Sequence, residues 1–484
     1  MRELRGTSRI PAISTYATWA AFVLSLAVVA ATVWFDVGLP AGRLLRIDGL
    51  TLVMWVAVTF FSGIVQSFAR RYMAANRDLN RFFAGVAAFT LAVLTMPAAD
   101  NVVLFLAAWT AMGLVMADLI GHVPGWDEAQ AASRLSRAYF LVGSALLTAG
   151  VSLLAVLTNA LTITGVLDGL ASLSRPPILL AAGLILLAAL VQSALLPFHR
   201  WLLSSMTAPT PSSALMHAGF VNAGGVLLTR FAPLFAPQRD LLLVITVVGA
   251  VSALLAQAMM LVQPTYKGRL GCSTVAQMGF MILQCGLGFF AAAVTHLIVH
   301  GFYKAYLFLS TGGQVTKKPP KKGGHDTSPA SIVVALAAAV AGGAVFATLT
   351  GKGFDASETG VFLTVVVTLA VFQAAVELLR TDSLSPPARL VGVVVATVPA
   401  LAIYALMYNA ISGLMHAVPA VHTPVAMTPV HWVLLAAFVA GHVAVQLGWL
   451  QRRPRVYVAL LNAARPDSRT VSTTHGDYGS RSEP

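Results

Sequence analysis

Apolar residues run through this chain in blocks that are hydrophobic on every face of a helix, as in AAFVLSLAVVAATVWF and FLTVVVTLAVFQAAV, with clusters of Gly, Pro or charge between them. The blocks centre near residues 27, 59, 89, 110, 148, 187, 223, 251, 280, 300, 340, 370, 400 and 440. A bilayer span needs about 20 apolar residues. Runs without alternation exclude the polar/apolar strands of about 10 residues that build outer-membrane barrels. The pattern predicts an all-α, polytopic membrane protein of about 14 transmembrane helices.

Two of the blocks look interrupted. Residues 178–205 form one apolar stretch too long for a straight span and broken at Leu196-Pro197, where proline removes a backbone donor and kinks a helix. Residues 331–360 carry Thr350-Gly351-Lys352-Gly353 after their apolar half, so Lys352 belongs either to a second break or to an outer loop. Paired interruptions in the two halves of a chain point to inverted repeats with ion sites at the breaks. The expected organisation is one transmembrane domain over 1–463, with halves at about 101–233 and 270–380, an inner basic loop at 314–330, and a polar cytoplasmic tail over 464–484.

Composition agrees: 57% of the 484 residues are hydrophobic and 10% charged, against roughly a quarter charged in a soluble domain. The formal charge of +13 follows the positive-inside rule. With the amino terminus inside, Arg70, Arg71, Arg77, Arg81, Arg134, Arg137, Arg200, Lys267, Arg269, the cluster Lys317, Lys318, Lys321 and Lys322, and Arg452, Arg453 and Arg455 all fall on the inner side. Both termini are expected to be cytoplasmic. The lysine cluster suits anionic membrane lipids or an acidic partner, or is simply a solvated loop. No basic face with groove-reading elements is evident, so nucleic acid is not expected as a partner. The Arg-containing start mimics a signal peptide, but its apolar stretch is too long, and it is read as the first span. Cys272 and Cys285 lie 13 residues apart on one apolar stretch, about 20 Å along a helix, too far for a disulfide.

The candidate chemistry lies in polar residues that hydrocarbon should not tolerate, because an ionisable group in a span costs several kcal/mol unless it faces a partner or water. In THLIVHGFYKA, His296, His300 and Lys304 stand at i, i+4 and i+8 and form one polar stripe roughly 12 Å long. Imidazole donates from one nitrogen while accepting at the other, and a desolvated lysine releases its proton reversibly, so the stripe has the makings of a proton relay. Interhelical hydrogen bonding and a metal site are the competing readings. Against the metal stand the in-line lysine and the lack of a Glu or Cys to complete a ligand set. His217 is a lone imidazole on a small-residue helix. Asp118 is the one acid of its span and sits near the inner end, where it either touches solvent or serves the path. Gln192 can relay only through its amide or a water. No Walker, dinucleotide, heme or Cys-cluster motif appears, so no cofactor is expected in this chain.

The segments LLPFHRWLLSSMTAPTPSSALMHAGFVNAGGVLLTRFAPL and YKGRLGCSTVAQMGFMILQCGLGFFAAAVTHLIVHGFYKAYLFLSTG, with RIDGLTLVM and ADNVVLFLAAW before them, resemble the proton-conducting membrane subunits of respiratory complex I and of the multisubunit cation/proton antiporters. The resemblance covers roughly residues 45–355. VNAGG, VAQMGFMILQCGLG and YVALLNAARPDS draw it toward the membrane subunits of inorganic-carbon accumulating complexes. It implies that His217, His296, His300, Lys304 and Lys352 are relay positions. The glutamate expected after Trp109 is Thr110, the lysine expected at the first break is Gln192, and the acid beside Lys352 is Gly353. The resemblance further implies a prokaryotic inner-membrane subunit, not itself an enzyme, that conducts H+ or Na+ and drives inorganic-carbon uptake. Its partner would be a large peripheral zinc subunit similar to a beta-type carbonic anhydrase. The rivals are a pump subunit of a complex I-like oxidoreductase, a cation/proton antiporter, and a passive anchor.

Overall fold

The computed structural model describes residues 9–35, 39–310, 329–353, 355–380, 385–421 and 425–471. Most of the basic loop 314–330 and of the polar tail lies outside them. Among the described residues there are nineteen α-helices and no strand, so every spanning segment satisfies its own backbone, as hydrocarbon requires.

The first five helices are long: α1 (Ile10–Phe35), α2 (Gly49–Tyr72), α3 (Leu79–Ala98), α4 (Val102–Ile120) and α5 (Asp127–Thr158). Short polar side chains set the starts of two of them. The carboxylate of Asp48 accepts from Thr51 N at the head of α2, and Asn101 accepts from Leu104 N at the head of α4, each satisfying an amide that the helix cannot. After the short α6 (Ile163–Asp168), α7 (Arg175–Gln192) opens on Pro176 and Pro177, where the missing N–H groups would be unpaired anyway.

The first interruption is present, but it begins earlier than Pro197. α7 stops at Gln192, Ala194 takes a left-handed φ of 53°, and α8 (Arg200–Ser204) follows the turn. Side chains cover the freed backbone: Trp201 Nε1 donates to Val191 O at 2.9 Å, and Ser193 Oγ to Val221 O at 2.8 Å. A second discontinuity falls in the next span. α9 (Thr210–Ala218) and α10 (Ala223–Arg230) are separated by a 3₁₀ turn at Phe220–Asn222.

After α11 (Ala232–Phe235) come α12 (Arg239–Val262), α13 (Tyr266–Gly286), α14 (Phe290–Leu309), α15 (Pro329–Thr350), α16 (Gly360–Leu379), α17 (Pro386–Leu414), α18 (Pro429–Gln446) and α19 (Pro454–Ala463). Glycines let α12 and α13 touch backbone to backbone, as small residues do between membrane helices. A Cβ on Gly249 would stand 2.5 Å from Leu283 N, and one on Gly279 2.5 Å from Ala253 N. α13 packs in turn on α14.

The expected second broken helix takes a different form. α15 runs its full length to Thr350, Gly351 turns at φ 66°, and α16 returns antiparallel, with Gly343 packed on Thr368 and Thr364 Oγ1 donating to Lys352 O at 3.3 Å. Lys352 therefore sits in the turn of a helical hairpin, because Gly351 ends α15 and no helix resumes in its direction. The expected fourteen spans are also not reached by length and hydropathy: eleven described helices qualify. α13 and α14 have the length but carry Lys267, Arg269, His296, His300 and Lys304, which lower their hydropathy.

At the far end the chain folds back on the first interruption. His199 Nε2 meets Ala463 O at 3.0 Å, and Asp467 N donates to Ser204 Oγ at 3.0 Å. Arg469, bonded to Asp467 through Nε at 2.9 Å, holds that carboxyl down to about 2.

Candidate proton relay site

The stripe forms as its spacing predicts. On α14 the rings of His296 and His300 lie 6.1 Å apart and 13° from parallel, and Phe280 of α13 packs edge-on against His296 at 5.3 Å. Lys304 is fully buried and donates from Nζ to Leu270 O at 3.0 Å.

α9 brings His217 to the same place. Its ring stacks on Phe308, one turn beyond Lys304, at 4.3 Å, and its Nδ1 meets Thr274 Oγ1 at 2.9 Å. Thr274 Oγ1 in turn reaches Leu270 O at 2.9 Å. A hydroxyl has one proton; with that proton on Leu270 O, Thr274 accepts from His217 Nδ1–H. The imidazole then presents Nε2 as the acceptor. Lys304 and His217 are thus tied through one carbonyl and one hydroxyl of α13, with no carboxylate in the set.

Among the described residues His217 Nε2, His296 Nε2, both ring nitrogens of His300 and Lys352 Nζ are buried without a hydrogen-bond partner. Buried polar atoms are normally satisfied by protein or ordered water. A row of such atoms on one helix and its neighbour is an arrangement that water would complete into a conducting line. No group of three His, Cys, Asp or Glu side chains that could hold a metal occurs among the described residues, and Cys272 and Cys285 are both free and buried.

The remaining expected positions separate. Lys352 lies against Tyr408, Nζ 3.4 Å from the ring centroid, with Phe289 and Phe346 at 5.3 and 5.8 Å. Gln192 is buried at the end of α7, and its Nε2 reaches Phe220 O at 3.5 Å, in the discontinuity between α9 and α10. Thr110 donates to Leu106 O of its own helix. The structure does not bring Asp118 to the stripe. Its carboxylate is half-exposed and paired with Arg137 of α5, since α4 and α5 are neighbouring antiparallel helices.

Sequence reasoning missed the α13 partners Leu270 and Thr274, the aromatic set around Lys352, and a second charge pair. Arg230, at the end of α10, joins Asp48 and also donates to Thr51 Oγ1 at 3.2 Å and to Pro97 O. This pair fastens the carboxyl-terminal end of the interrupted span that carries His217. A lone arginine closing the apolar run GGVLLTR was the signal.

The family described as "NADH:quinone oxidoreductase/Mrp antiporter, TM" matches residues 99–323, and that described as "NADH-Ubiquinone oxidoreductase (complex I), chain 5 N-terminus" matches residues 34–83. Similar curated proteins include the probable inorganic carbon transporter subunit DabB1 of Halothiobacillus neapolitanus, 37% identical over 58% of this chain and 51% of that protein. DabB of Bacillus anthracis is 38% identical over 56% and 54%. NADH-quinone oxidoreductase subunit L of Mycobacterium tuberculosis is 34% identical over 57% and 45%. The chain spans about half the length of the curated relatives it matches. Among solved structures, the Mrp complex from Dietzia sp. DQ12-45-1b shares the fold at a TM-score of 0.58 and 22% identity, covering 95% of this chain and 51% of that one. The archaeal membrane-bound sulfane sulfur reductase shares it at 0.59 and 15%, covering 95% and 93%. The chain thus carries, in order, the antiporter-like membrane-subunit domains of NADH:quinone oxidoreductase and Mrp complexes that these two descriptions name.

Proposed function

We propose that this chain is the cation-conducting membrane subunit of an inorganic-carbon uptake complex in a prokaryotic inner membrane, with both termini cytoplasmic. H+, or alternatively Na+, runs down its gradient through the second half of the chain. The released free energy drives carbon capture by a DabA-like large peripheral zinc subunit that hydrates carbon dioxide to bicarbonate. The observation that carries this reading is the buried stripe His296, His300, Lys304, tied to His217, in a chain similar to subunits named as inorganic carbon transporters.

In the proton version, Lys304 gives up a proton to His300 and His300 to His296. Each imidazole takes a proton at one nitrogen and releases another from the opposite one. Lys352 stands at the far end of the path, and Gln192 lends at most an amide. Asp118, tied to Arg137, serves best as a contact with lipid or a neighbouring subunit. Likeness to subunit L supports a second reading, a pump subunit of a complex I-like oxidoreductase or a cation/proton antiporter.

Carbon uptake by the intact complex in vesicles separates these readings. Uptake should collapse with a protonophore if protons are the driver, and survive it under a clamped sodium gradient if sodium is. The co-purified complex should contain zinc and this chain alone none. Uptake insensitive to both gradients, or one zinc per isolated chain that is lost on changing His296 or His300, would contradict the proposal.

A further inference from the structure

Lys352 presents a problem that the relay alone does not solve. Its side chain is buried and its Nζ has no hydrogen-bond partner among the described residues. The nearby acids are turned elsewhere: Asp355 is exposed and accepts from Ser357 N at 2.8 Å and Ser357 Oγ at 2.6 Å, and Glu358 is exposed. His431, buried on α18, is engaged with Thr428. The backbone divides. The carbonyl end of α15 favours a cation, but the heads of α14, capped at Phe289, and of α16, capped at Thr359, present positive dipole ends. A buried ammonium needs compensation from some source.

That source is aromatic. Three rings from three helices or their caps converge on Nζ: Tyr408 of α17 at 3.4 Å from its centroid, Phe289 at 5.3 Å and Phe346 of α15 at 5.8 Å. All lie within the range of about 6 Å over which a ring face attracts a cation, an attraction that strengthens when water is excluded. We propose that Phe289, Phe346 and Tyr408 form a cation cage that serves in place of a carboxylate as the counter-charge of Lys352, with the Tyr408 ring face as its main wall. The three are positioning residues. Phe289 caps the helix that carries the stripe, seven residues before His296, so the cage holds the ammonium over one end of the same helix, about 10 Å along its axis from that imidazole. The cage deepens the reading of Lys352 as the far end of the relay and rests on it.

The proposal separates ring face from hydroxyl and from packing. In the intact complex in proteoliposomes, Lys352 is probed with a membrane-permeant amine-acylating reagent read by mass spectrometry, and ion flux is read in parallel. Tyr408→Phe keeps the ring and should stay within about twofold of the parent in both readings, whereas Tyr408→Leu should raise acylation about tenfold and lower flux about tenfold. A Cβ at Gly353 would meet nothing nearer than Asp355 N at 3.8 Å, so Gly353→Glu fits. Added to Tyr408→Leu, it should return both readings to within about threefold of the parent by restoring a counter-charge. If Tyr408→Leu does not reach the membrane, Phe346→Leu takes its place, with about a threefold rise in acylation expected. Loss of flux in Tyr408→Phe, unchanged acylation in the leucine variants, or failure of Gly353→Glu to restore protection would overturn the cage. If acylation follows the proposal while Lys304→Ala conducts normally, the cage stands and the relay falls.

Discussion

The two halves of this membrane domain place different groups at their interior polar positions. In the first half, Thr110 bonds back to its own helix, Gln192 is spent on Phe220 O, and Ser193 and Trp201 close the remaining backbone gaps. Its acid, Asp118, is paired with Arg137 at the surface. In the second half, His296, His300 and Lys352 keep ring or ammonium nitrogens without partners, and Lys304 holds a single carbonyl. Both halves bury polar atoms without partners, His122 Nε2, His199 Nδ1 and Asn222 Oδ1 among them in the first, but the first lines its interruptions with neutral amide and hydroxyl groups, whereas the second lines one helix with two imidazoles and an ammonium.

That contrast can be broken most severely by returning charge to the first half. Gln192→Lys places an ammonium against Phe220 O with no counter-charge, which should cost about 3–5 kcal/mol and cut the amount of folded protein in the membrane, measured by detergent-solubilised yield and Tm. Adding Thr110→Glu should recover part of the loss if the two positions face one another, and none if they do not.

A smaller effect probes the junction between the halves, where His217 of the first meets α13 of the second. Thr274→Val keeps the shape and removes the hydroxyl. It leaves His217 Nδ1 unpaired at a cost of about 1–3 kcal/mol, and flux should drop several-fold with the protein still inserted. Unchanged flux would remove His217 from the path.

The smallest effect concerns the carboxyl-terminal segment docked on the first interruption. Arg469 holds the Asp467 carboxyl at about 2, below the ordinary 3.8. A depressed carboxyl stabilises the folded form above its unfolded value, and that contribution is lost as pH falls from about 4 through about 2. Its partner Arg469 is open to solvent, so the loss is slight. Pepsin cleavage within residues 463–471 should rise over that window in the parent and be flat with pH, and higher at pH 4, in Asp467→Asn.

How much of this was legible beforehand follows from distance along the chain. The stripe was legible because His296, His300 and Lys304 repeat every four residues on one helix, a pattern that survives any packing. The partners of Lys304 and His217 were not, because Leu270 and Thr274 reach them from another helix, 34 and 57 residues away in sequence. Pro197 marked the first break, yet the helix ends at Gln192 because the chain turns through Ala194 first. Lys352 looked like a lysine beside a missing acid. Its surroundings come from residues 289, 346 and 408, and no local pattern links them. Asp118, near the end of an apolar run, left solvent and path both open; the arginine nineteen residues later, across the α4–α5 hairpin, was the available sign that it faces out.

The central claim is that conduction runs through the second half and not the first. Flux in proteoliposomes of the intact complex, compared between Lys304→Ala and Gln192→Leu at equal insertion, tests it directly. Lys304→Ala should abolish flux, and Lys304→Arg should fail as well, because a guanidinium does not release its proton in this range. Gln192→Leu should conduct within about twofold of the parent, since its amide serves one long hydrogen bond. Normal flux in Lys304→Ala, or abolished flux in Gln192→Leu, would contradict the account.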